Sequence, residues 1–207
     1  LMEINKSPLL LICANRLQGA SAKIKILTSN NYSDDAIEKV AKENEIDVFR
    51  GSLENVLKRF YDKVKDLDDE EVVVRATADN IVPNYGFLNA MVEKFVQTQC
   101  DYMSSSTKEC GFAYGLSLEV MYAWTIKEAF KYSRSEEERE HVTPWIKKNS
   151  HTANFTHEDL SWPDSSSLNC SIDTKAQYLF LKKLIEEKKV PIQSRELDNI
   201  PLILSHF

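Results

Sequence analysis

Two single aspartates in the sequence each follow a segment with the pattern of a buried strand. Asp79 comes after the apolar run in "VVVRATADN", and Asp173 comes after "NCSI", just before the last long helical pattern. In sheets built from alternating strands and helices, ligands bind beyond the carboxyl ends of the strands. If the two strands are neighbours, the carboxylates converge and can share a divalent cation such as Mg²⁺, with phosphate oxygens as further ligands. Each position also fits a second role, the capping of the helix or turn that follows.

Polar residues follow the other strand patterns as well. Arg50, Gly51 and Ser52 come directly after "DVF". The residues after "KIKILTS" include Asn30, Asn31, Asp34 and Asp35. The same rule on the carboxyl ends of strands makes all of these candidate ligand contacts.

The spacing of apolar residues predicts strands and helices in alternation. Strands are predicted at "KIKILTS", "IDVFRGS", "EVVVRAT", "DYMSS", "AYGLSLEVM", "TANFTH" and "NCSI". Helices are predicted at "KSPLLLICANRL", with Ser7 as N-cap and Pro8 in the first turn, at "DDAIEKVAKENE", "LENVLKRFYDKVKDL", residues 86–97 and 125–132, from Glu136 through "HVTPWIKKN", and at "TKAQYLFLKKLIEEKK". This alternation predicts βαβ units with a mostly parallel sheet, in one α/β domain over residues 1–207.

The composition argues against several classes of partner. The 207 residues carry a net charge of −6 without a basic stripe, which disfavours binding to a nucleic-acid backbone. The most apolar early run, "PLLLICA", is too short to span a membrane and lacks the flanks of a signal peptide. The four cysteines form no Cys-x-x-Cys pair, which predicts reduced thiols. We therefore expect a cytoplasmic protein without a nucleic-acid or membrane partner.

Six segments of the chain carry a family resemblance. They are "EINKSPLL", "DDAIEKVAKENEIDVFRGSLENVLKRFY", "VVVRATADN", "YGLSLEVM", "EEREHVTPWI" and "SIDTKAQYLFLKKL". In order and spacing these segments resemble the cytidylyltransferases of the spore coat polysaccharide biosynthesis type, which are relatives of the CMP-KDO and CMP-acylneuraminate synthetases. The most specific parts are "FRGS…VLKRFY", "EREHVTP" and the Ile-Asp-Thr before a helix.

The resemblance implies a fold and a reaction. The fold is the three-layer α/β fold of the nucleotide-diphosphosugar transferase type, with a mostly parallel sheet. The reaction is attack of a sugar hydroxyl or of an acidic sugar on the α-phosphate of CTP, which gives a CMP-sugar for surface polysaccharide biosynthesis and releases pyrophosphate. Catalysis of this kind depends mainly on positioning and on Mg²⁺ at the phosphates.

The resemblance also implies roles for residues near the phosphates. Asp79 in "TADN" and Asp173 in "SIDT" match the two metal-binding aspartates of the family. Arg75 lies on the strand that leads to Asp79, where a cation would meet the triphosphate. These three residues are therefore the expected catalytic and metal-binding set.

The other implied contacts are with the nucleoside and the sugar. Arg50, Gly51 and Ser52 match the turn that lies near the nucleoside. Glu119 and His141 fall in segments that resemble the sugar side of the pocket. The expected partners are CTP and a sugar acceptor, and the resemblance makes a homodimer a reasonable expectation.

The sequence departs from the family pattern in several places. Family members begin with a strand and a loop resembling Ala-Arg-x-x-Ser-x-Arg-Leu-Pro-x-Lys, which binds the triphosphate, and Leu1 aligns just after that loop. Ser117 stands where an aspartate is common, and Ala78 replaces a glycine. We therefore expect the 1–207 chain alone to have little or no activity.

Two alternatives remain open at the level of sequence. The chain could be a catalytically silent relative that serves as a binding or scaffolding subunit, which the Ser117 change would favour. It could also be a glycosyltransferase of related fold, but such enzymes normally require an Asp-x-Asp pair and "ATADN" supplies one aspartate.

Overall fold

The computed structural model describes residues 1–19, 23–188 and 190–207. Its strands are β1 (Glu3–Ile4), β2 (Ser7–Pro8), β3 (Lys25–Ser29), β4 (Asp47–Gly51), β5 (Val72–Arg75), β6 (Tyr102–Ser104), β7 (Glu119–Tyr122) and β8 (Thr152–Asn154). Within these ranges, four strands form a sheet in the order β5-β7-β6-β8, and β3 and β4 form a separate parallel pair. Strand β7 is antiparallel to β5 and β6, whereas β8 is parallel to β6, so three of the four strands run in one direction.

Helices cover both faces of the four-stranded sheet. They are α1 (Leu9–Leu17), α2 (Asp35–Glu43), α3 (Val56–Val64), α4 (Tyr85–Thr98), α5 (Ala123–Tyr132), α6 (Glu136–His141), α7 (Pro144–Asn149), α8 (Lys175–Lys188) and α9 (Asn199–Leu204). Because successive strand residues point to opposite faces, Met103 and Val120 join one apolar cluster and Tyr102 and Met121 join the other. Helices α1, α4, α8 and α9 complete the first cluster, and α3, α5 and α7 complete the second. The predicted three-layer α/β architecture is confirmed.

Most predicted elements lie where the sequence pattern placed them. Strands β3 to β6 and β8 fall within predicted strands, and α2 to α5 fall within or across predicted helices. Helix α8 occupies the predicted closing helix, although Lys189, the last residue of that prediction, lies outside the described residues. Long segments with clear periods of 2 or 3.6 residues were therefore predictable.

Two local predictions were wrong because backbone groups found other partners. Ser7 is not the N-cap of α1, since Ser7 and Pro8 form β2, which pairs with β1, and Pro8 takes the cap position. The segment "NCSI" is not a strand. Cys170 donates its N–H to Tyr114 and Ile172 donates to Asp79, so no continuous ladder forms on one partner.

The helix predicted from Glu136 through "HVTPWIKKN" is divided into α6 and α7. The break lies at Val142, which is fully buried and has a φ of 70°, a conformation that a β-branched residue rarely adopts. Pro144 then occupies the first turn of α7, where its missing N–H costs no hydrogen bond. The break directs Thr143 toward the sheet.

A buried arginine ties the C-terminal segment to the rest of the fold. Arg16 has no exposed surface, and its guanidinium donates to the carbonyls of Val82, Pro83, Ile192 and Ser194 and to the Asn199 side chain. Burial lowers the pKa of Arg16 to about 10. A buried charge is tolerated here because its donors are satisfied by five oxygen acceptors.

Two expectations from composition can be compared with the structure. All four cysteines are buried and free, in agreement with the prediction of reduced thiols. In the part of the chain that the structure describes, no helix has both the length and the apolar character needed to cross a membrane.

Candidate active site

The structure brings together the segments that carry the two candidate metal aspartates. Asp79 lies in the turn after β5, and the N–H of Ile172 donates to the carbonyl of Asp79 at 3.0 Å. Asp173 is the next residue, so both aspartates lie beyond the carboxyl end of β5. The backbone segments of the two aspartates therefore lie side by side, and the shared metal site stays a prediction.

The carboxylate of Asp79 has no hydrogen-bond donor among the described residues. Its Oδ1 atom is buried, and no side chain or backbone N–H reaches it. A buried carboxylate oxygen without a donor is costly, because the oxygen loses its water without compensation. Such an atom indicates a missing partner, and a hard divalent cation with oxygen ligands fits it.

Neither aspartate caps a helix. The N-cap of α4 is Asn84, whose side chain accepts from the N–H of Phe87. Before α8, Thr174 and Gln177 exchange bonds, with the Gln177 N–H donating to Thr174 Oγ1 and the Gln177 side chain accepting from the Thr174 N–H. The alternative role of the aspartates as helix caps is therefore wrong.

Asp173 is exposed but is fixed by its neighbours. Its N–H donates to Gln177 Oε1 at 3.0 Å. The hydroxyl of the buried Ser171 lies 2.5 Å from Asp173 Oδ2 and 3.0 Å from Asn169 Oδ1, so its single proton serves one of the two at a time. The carboxylate thus has a defined orientation and keeps oxygen capacity for a further ligand.

Helix α1 supports the turn that carries Asp79. The thiol of Cys13 donates to the carbonyls of Thr77 at 3.7 Å and Asn80 at 3.6 Å. Burial, with the nearby Asp79 charge as a smaller contribution, raises the pKa of Cys13 to about 12. This thiol is therefore a neutral support of the turn. This role could not be predicted from the sequence, because Cys13 lies within an apolar helical pattern.

Glu119 lies at the centre of a buried polar network. Its carboxylate accepts from Arg75 Nη1 at 2.6 Å, Tyr102 Oη at 2.5 Å, Thr143 Oγ1 at 2.8 Å and Lys147 Nζ at 3.0 Å. Burial favours the neutral acid, but Arg75 and Lys147 outweigh it and hold the pKa of Glu119 below its ordinary value. Glu119 and Arg75 are direct cross-strand partners in the β5–β7 ladder.

This network includes or adjoins residues that were predicted to contact the triphosphate and the sugar. Arg75 is engaged by Glu119, with 21% of its side chain exposed, so its role at the triphosphate stays a prediction. His141 is exposed at the end of α6, and its carbonyl accepts from the Thr143 N–H at 2.8 Å. Glu119 and His141 are thus linked through Thr143, and their role on the sugar side also stays a prediction.

Arg50 lies within β4 rather than in a turn after it, and its contacts hold the carboxyl end of this strand. The guanidinium of Arg50 donates to the carbonyls of Ser29 and Asn31 and to the carboxylates of Asp35 and Glu38. These four acceptors fasten β4 to the end of β3, to the loop that follows it and to α2. Arg50 is therefore engaged within the protein, and its predicted contact with a nucleoside is not tested by this arrangement.

Gly51 is the last residue of β4, and Ser52 follows the strand. The Ser52 hydroxyl accepts from the N–H of Asn55, which is the N-cap of α3. Gly51 is packed against α3, since a Cβ at this position would lie 2.7 Å from Arg59 Cγ. Both residues position the start of α3, and a direct contact with a nucleotide stays a prediction for each.

The metal prediction rests on two carboxylates. No group of three or more His, Cys, Asp or Glu side chains in the described ranges is arranged to hold a metal. A two-aspartate set fits Mg²⁺, which keeps several water ligands and binds through one or two carboxylates plus substrate phosphates. The donorless oxygen of Asp79 agrees with this chemistry.

The three-layer fold, with polar residues beyond its strand ends, is typical of α/β proteins that bind ligands at this edge of the sheet. The chain belongs to the cytidylyltransferase family, whose model matches residues 1–197. Membership confirms the family resemblance seen in the sequence and supports nucleotidyl transfer as the class of reaction.

Two proteins of known sequence are similar to this chain. An uncharacterized protein of Methanocaldococcus jannaschii is 30% identical over 174 residues, which cover 82% of this chain and 70% of that protein. The spore coat polysaccharide biosynthesis protein SpsF of Bacillus subtilis is 30% identical over 166 residues, which cover 78% of this chain and 66% of SpsF. The matched region thus spans about two thirds of each relative.

Solved structures show the same fold. A cytidylyltransferase from Leptospira borgpetersenii serovar Hardjo-bovis superposes with a TM-score of 0.84 at 25% identity, over 99% of this chain and 86% of that one. A 4-diphosphocytidyl-2C-methyl-D-erythritol synthase from Anaerococcus prevotii gives a TM-score of 0.57 at 8% identity, over 89% and 92% of the two chains. The second likeness concerns the fold alone.

Proposed function

We propose that this protein is a Mg²⁺-dependent cytidylyltransferase that joins CMP from CTP to a sugar acceptor. One observation carries the proposal beyond family membership. Asp79 and Asp173 lie on adjacent backbone segments beyond the carboxyl end of β5, and Asp79 Oδ1 is buried without a donor among the residues that the structure describes.

In this proposal each aspartate has a defined task. Asp79 and Asp173 would hold the cation, and a bound Mg²⁺ would supply neutralisation of negative charge on the phosphates. Ser171 and Gln177 keep Asp173 oriented, and Cys13 keeps the Asp79 turn in place. The protein thus acts by fixing the positions of its charged groups before the substrate binds.

The transfer itself needs little covalent chemistry from the protein. An acceptor oxygen forms a bond to the α-phosphorus of CTP while the bond to the pyrophosphate oxygen breaks, and the acceptor loses its proton. Arg75 is the last residue of β5 and lies shortly before Asp79 in the chain. The part of its guanidinium that Glu119 does not engage would meet the triphosphate. This assignment follows the family resemblance.

The acceptor is proposed to be a sugar of surface polysaccharide biosynthesis. The support is the similarity to SpsF, whose name refers to spore coat polysaccharide. Glu119 and His141, linked through Thr143, would lie on the acceptor side. A homodimer and a cytoplasmic location belong to the same proposal.

The experiment is a nucleotide screen with the full-length natural chain. Thermal unfolding would be followed with CTP, UTP, ATP and GTP, each with and without Mg²⁺, and pyrophosphate release would be measured with a panel of acidic and neutral sugars. We expect Mg²⁺-dependent stabilisation by CTP above the other nucleotides and pyrophosphate release with at least one sugar. Binding of CTP without release in any condition would favour the silent-relative alternative, and absence of CTP binding would refute the proposal.

A further inference from the structure

Arg59 is a partly buried cation without a partner. It lies on α3, its Nε atom is buried, and its guanidinium makes no hydrogen bond or ion pair within residues 1–19, 23–188 and 190–207. Burial lowers the pKa of Arg59, and the charge of Asp34 opposes this effect. A guanidinium that has lost water at Nε without gaining an acceptor is unusual, because each buried donor normally finds one.

The other inward-facing arginines of this part of the fold are engaged. Arg16 donates to five acceptors, and Arg50 donates to two carbonyls and two carboxylates. Arg75 is paired with Glu119 at 2.6 Å. Arg59 differs from them because none of its donors has an acceptor in the described part of the chain.

The position of Arg59 is one where ligands bind. Its side chain passes over Gly51 at the carboxyl end of β4, which pairs in parallel with β3. The carboxyl edge of parallel strands is the edge at which α/β sheets take up ligands. Gly51 leaves the space for this passage, because a Cβ there would lie 2.7 Å from Arg59 Cγ and 3.5 Å from Cδ.

The nearby carboxylate of Asp34 weakens the attraction of Arg59 for an anion. The hydroxyls of Ser29 and Thr28 and the Ser29 N–H lower the pKa of Asp34 to about 2, so this neighbour is negatively charged at neutral pH. A phosphate at Arg59 would be repelled by that carboxylate. A neutral planar acceptor would not be repelled and would still satisfy the guanidinium.

We propose that Arg59 recognises the cytosine base by donating two parallel N–H bonds to its adjacent O2 and N3 acceptors. This inference rests on the proposed function and names the residue that reads the base. A guanidinium presents paired donors in one plane, which fits two neighbouring acceptors of a flat ring. Uracil carries a hydrogen on N3 and therefore offers a donor where Arg59 needs an acceptor.

The test compares nucleotides that share phosphates and differ in the base. Binding of CTP, UTP and inorganic tripolyphosphate in Mg²⁺ would be measured by titration calorimetry for the full-length chain and for Arg59→Gln and Arg59→Lys. Because a bidentate base contact is lost in both variants, we expect CTP binding to weaken about tenfold or more. Tripolyphosphate binding should be unchanged, and the preference for CTP over UTP should fall.

Two further variants test whether the loss of CTP binding is specific to the side chain of Arg59. Arg134→Gln removes the same charge from an exposed arginine at the start of α6 and should change none of the three affinities. Gly51→Ala introduces a Cβ that would meet Arg59, so it should lower CTP binding and leave tripolyphosphate binding unchanged. This variant tests the same contact even if the Arg59 variants fold poorly. Its effect should add little to that of Arg59→Gln.

The remaining results would contradict either the assignment of Arg59 to the base or the proposed function. Equal weakening of CTP and tripolyphosphate would make Arg59 a phosphate contact, and unchanged CTP binding would make its open donors irrelevant to the ligand. Both results leave the proposed function intact if the wild-type chain binds CTP. A wild-type chain that binds no CTP would overturn the proposed function and this inference together.

Discussion

The N–H of Ile172 donates to the carbonyl of Asp79 at 3.0 Å, which joins the turn after β5 to the segment that leads into α8. This one bond places Asp79 beside the residue that precedes Asp173. The two aspartates therefore share the ligand-binding edge of the sheet although they are distant in sequence.

We expect Asp79→Asn to leave the metal-free fold intact or slightly more stable. The buried Oδ1 atom lacks a donor among the described residues, so a neutral side chain lowers the cost of burying this oxygen and is expected to gain up to about 1 kcal/mol of unfolding free energy. The measurement is urea unfolding in the presence of a chelator. Asp66→Asn, at an exposed position, serves as the control and should change little. A clear loss of stability in Asp79→Asn alone would show that its carboxylate has a structural partner.

Glu119→Gln is expected to destabilise the fold by about 2 kcal/mol at neutral pH. The substitution leaves Arg75 and Lys147 without their shared carboxylate, although both keep some contact with water, which moderates the loss. Glu128→Gln removes a carboxylate from a solvent-exposed pair with Lys131 and should cost much less. Equal losses in the two variants would contradict the assignment of Glu119 as the centre of a buried network.

The same residue predicts a pH dependence of stability. The folded pKa of Glu119 is below its ordinary value of 4.5, so the unfolded chain takes up the proton more readily than the folded chain. Its stabilising contribution is therefore complete above about pH 4.5 and is lost as the pH falls through the folded pKa. The difference in unfolding free energy between wild type and Glu119→Gln should shrink in acid. A difference that grows in acid would mean that the folded pKa is raised.

Arg16→Lys is expected to loosen the C-terminal segment and cost about 3 kcal/mol. A lysine has one donor group and cannot reach five acceptors that lie on different turns. Amide hydrogen exchange in residues 192–204 should become faster. Arg195→Lys, which alters an exposed arginine bonded to Asn15, should affect exchange much less. Unchanged exchange in Arg16→Lys would show that α9 is held by apolar contacts alone.

His141→Ala should impair turnover or raise the KM for the sugar while CTP affinity stays nearly unchanged. His141 is exposed and connects to the buried network only through the backbone of Thr143, so its imidazole is available to an acceptor. Steady-state kinetics with both substrates varied would give the two constants. A fall in CTP affinity instead would place His141 on the nucleotide side.

The sequence was most informative where a strong period extended over several residues. The valines before Arg75 predicted β5, and the apolar spacing in residues 53–67 predicted α3, because burial of one face or both faces decides these elements. The aspartates were found because each follows a strand pattern. Their proximity is visible in the structure as the Ile172–Asp79 bond.

Other features depend on contacts that no local pattern encodes. The break at Val142 is held by burial of its side chain and by Thr143 binding Glu119. The donors of Arg59 are unpaired because no acceptor lies near them in the described part of the chain. The sequence alone does not reveal whether an arginine is paired. Such residues are identified only when the partners of every buried polar atom are counted.

The most direct test of the account is a double-mutant cycle on Mg²⁺-dependent CTP binding with Asp79→Asn and Asp173→Asn in the full-length chain. If both carboxylates act through one ion, each single variant loses most of the Mg²⁺-dependent affinity, and the double variant loses little more than either. Additive losses, or single variants that bind CTP with undiminished dependence on Mg²⁺, would contradict a shared metal site.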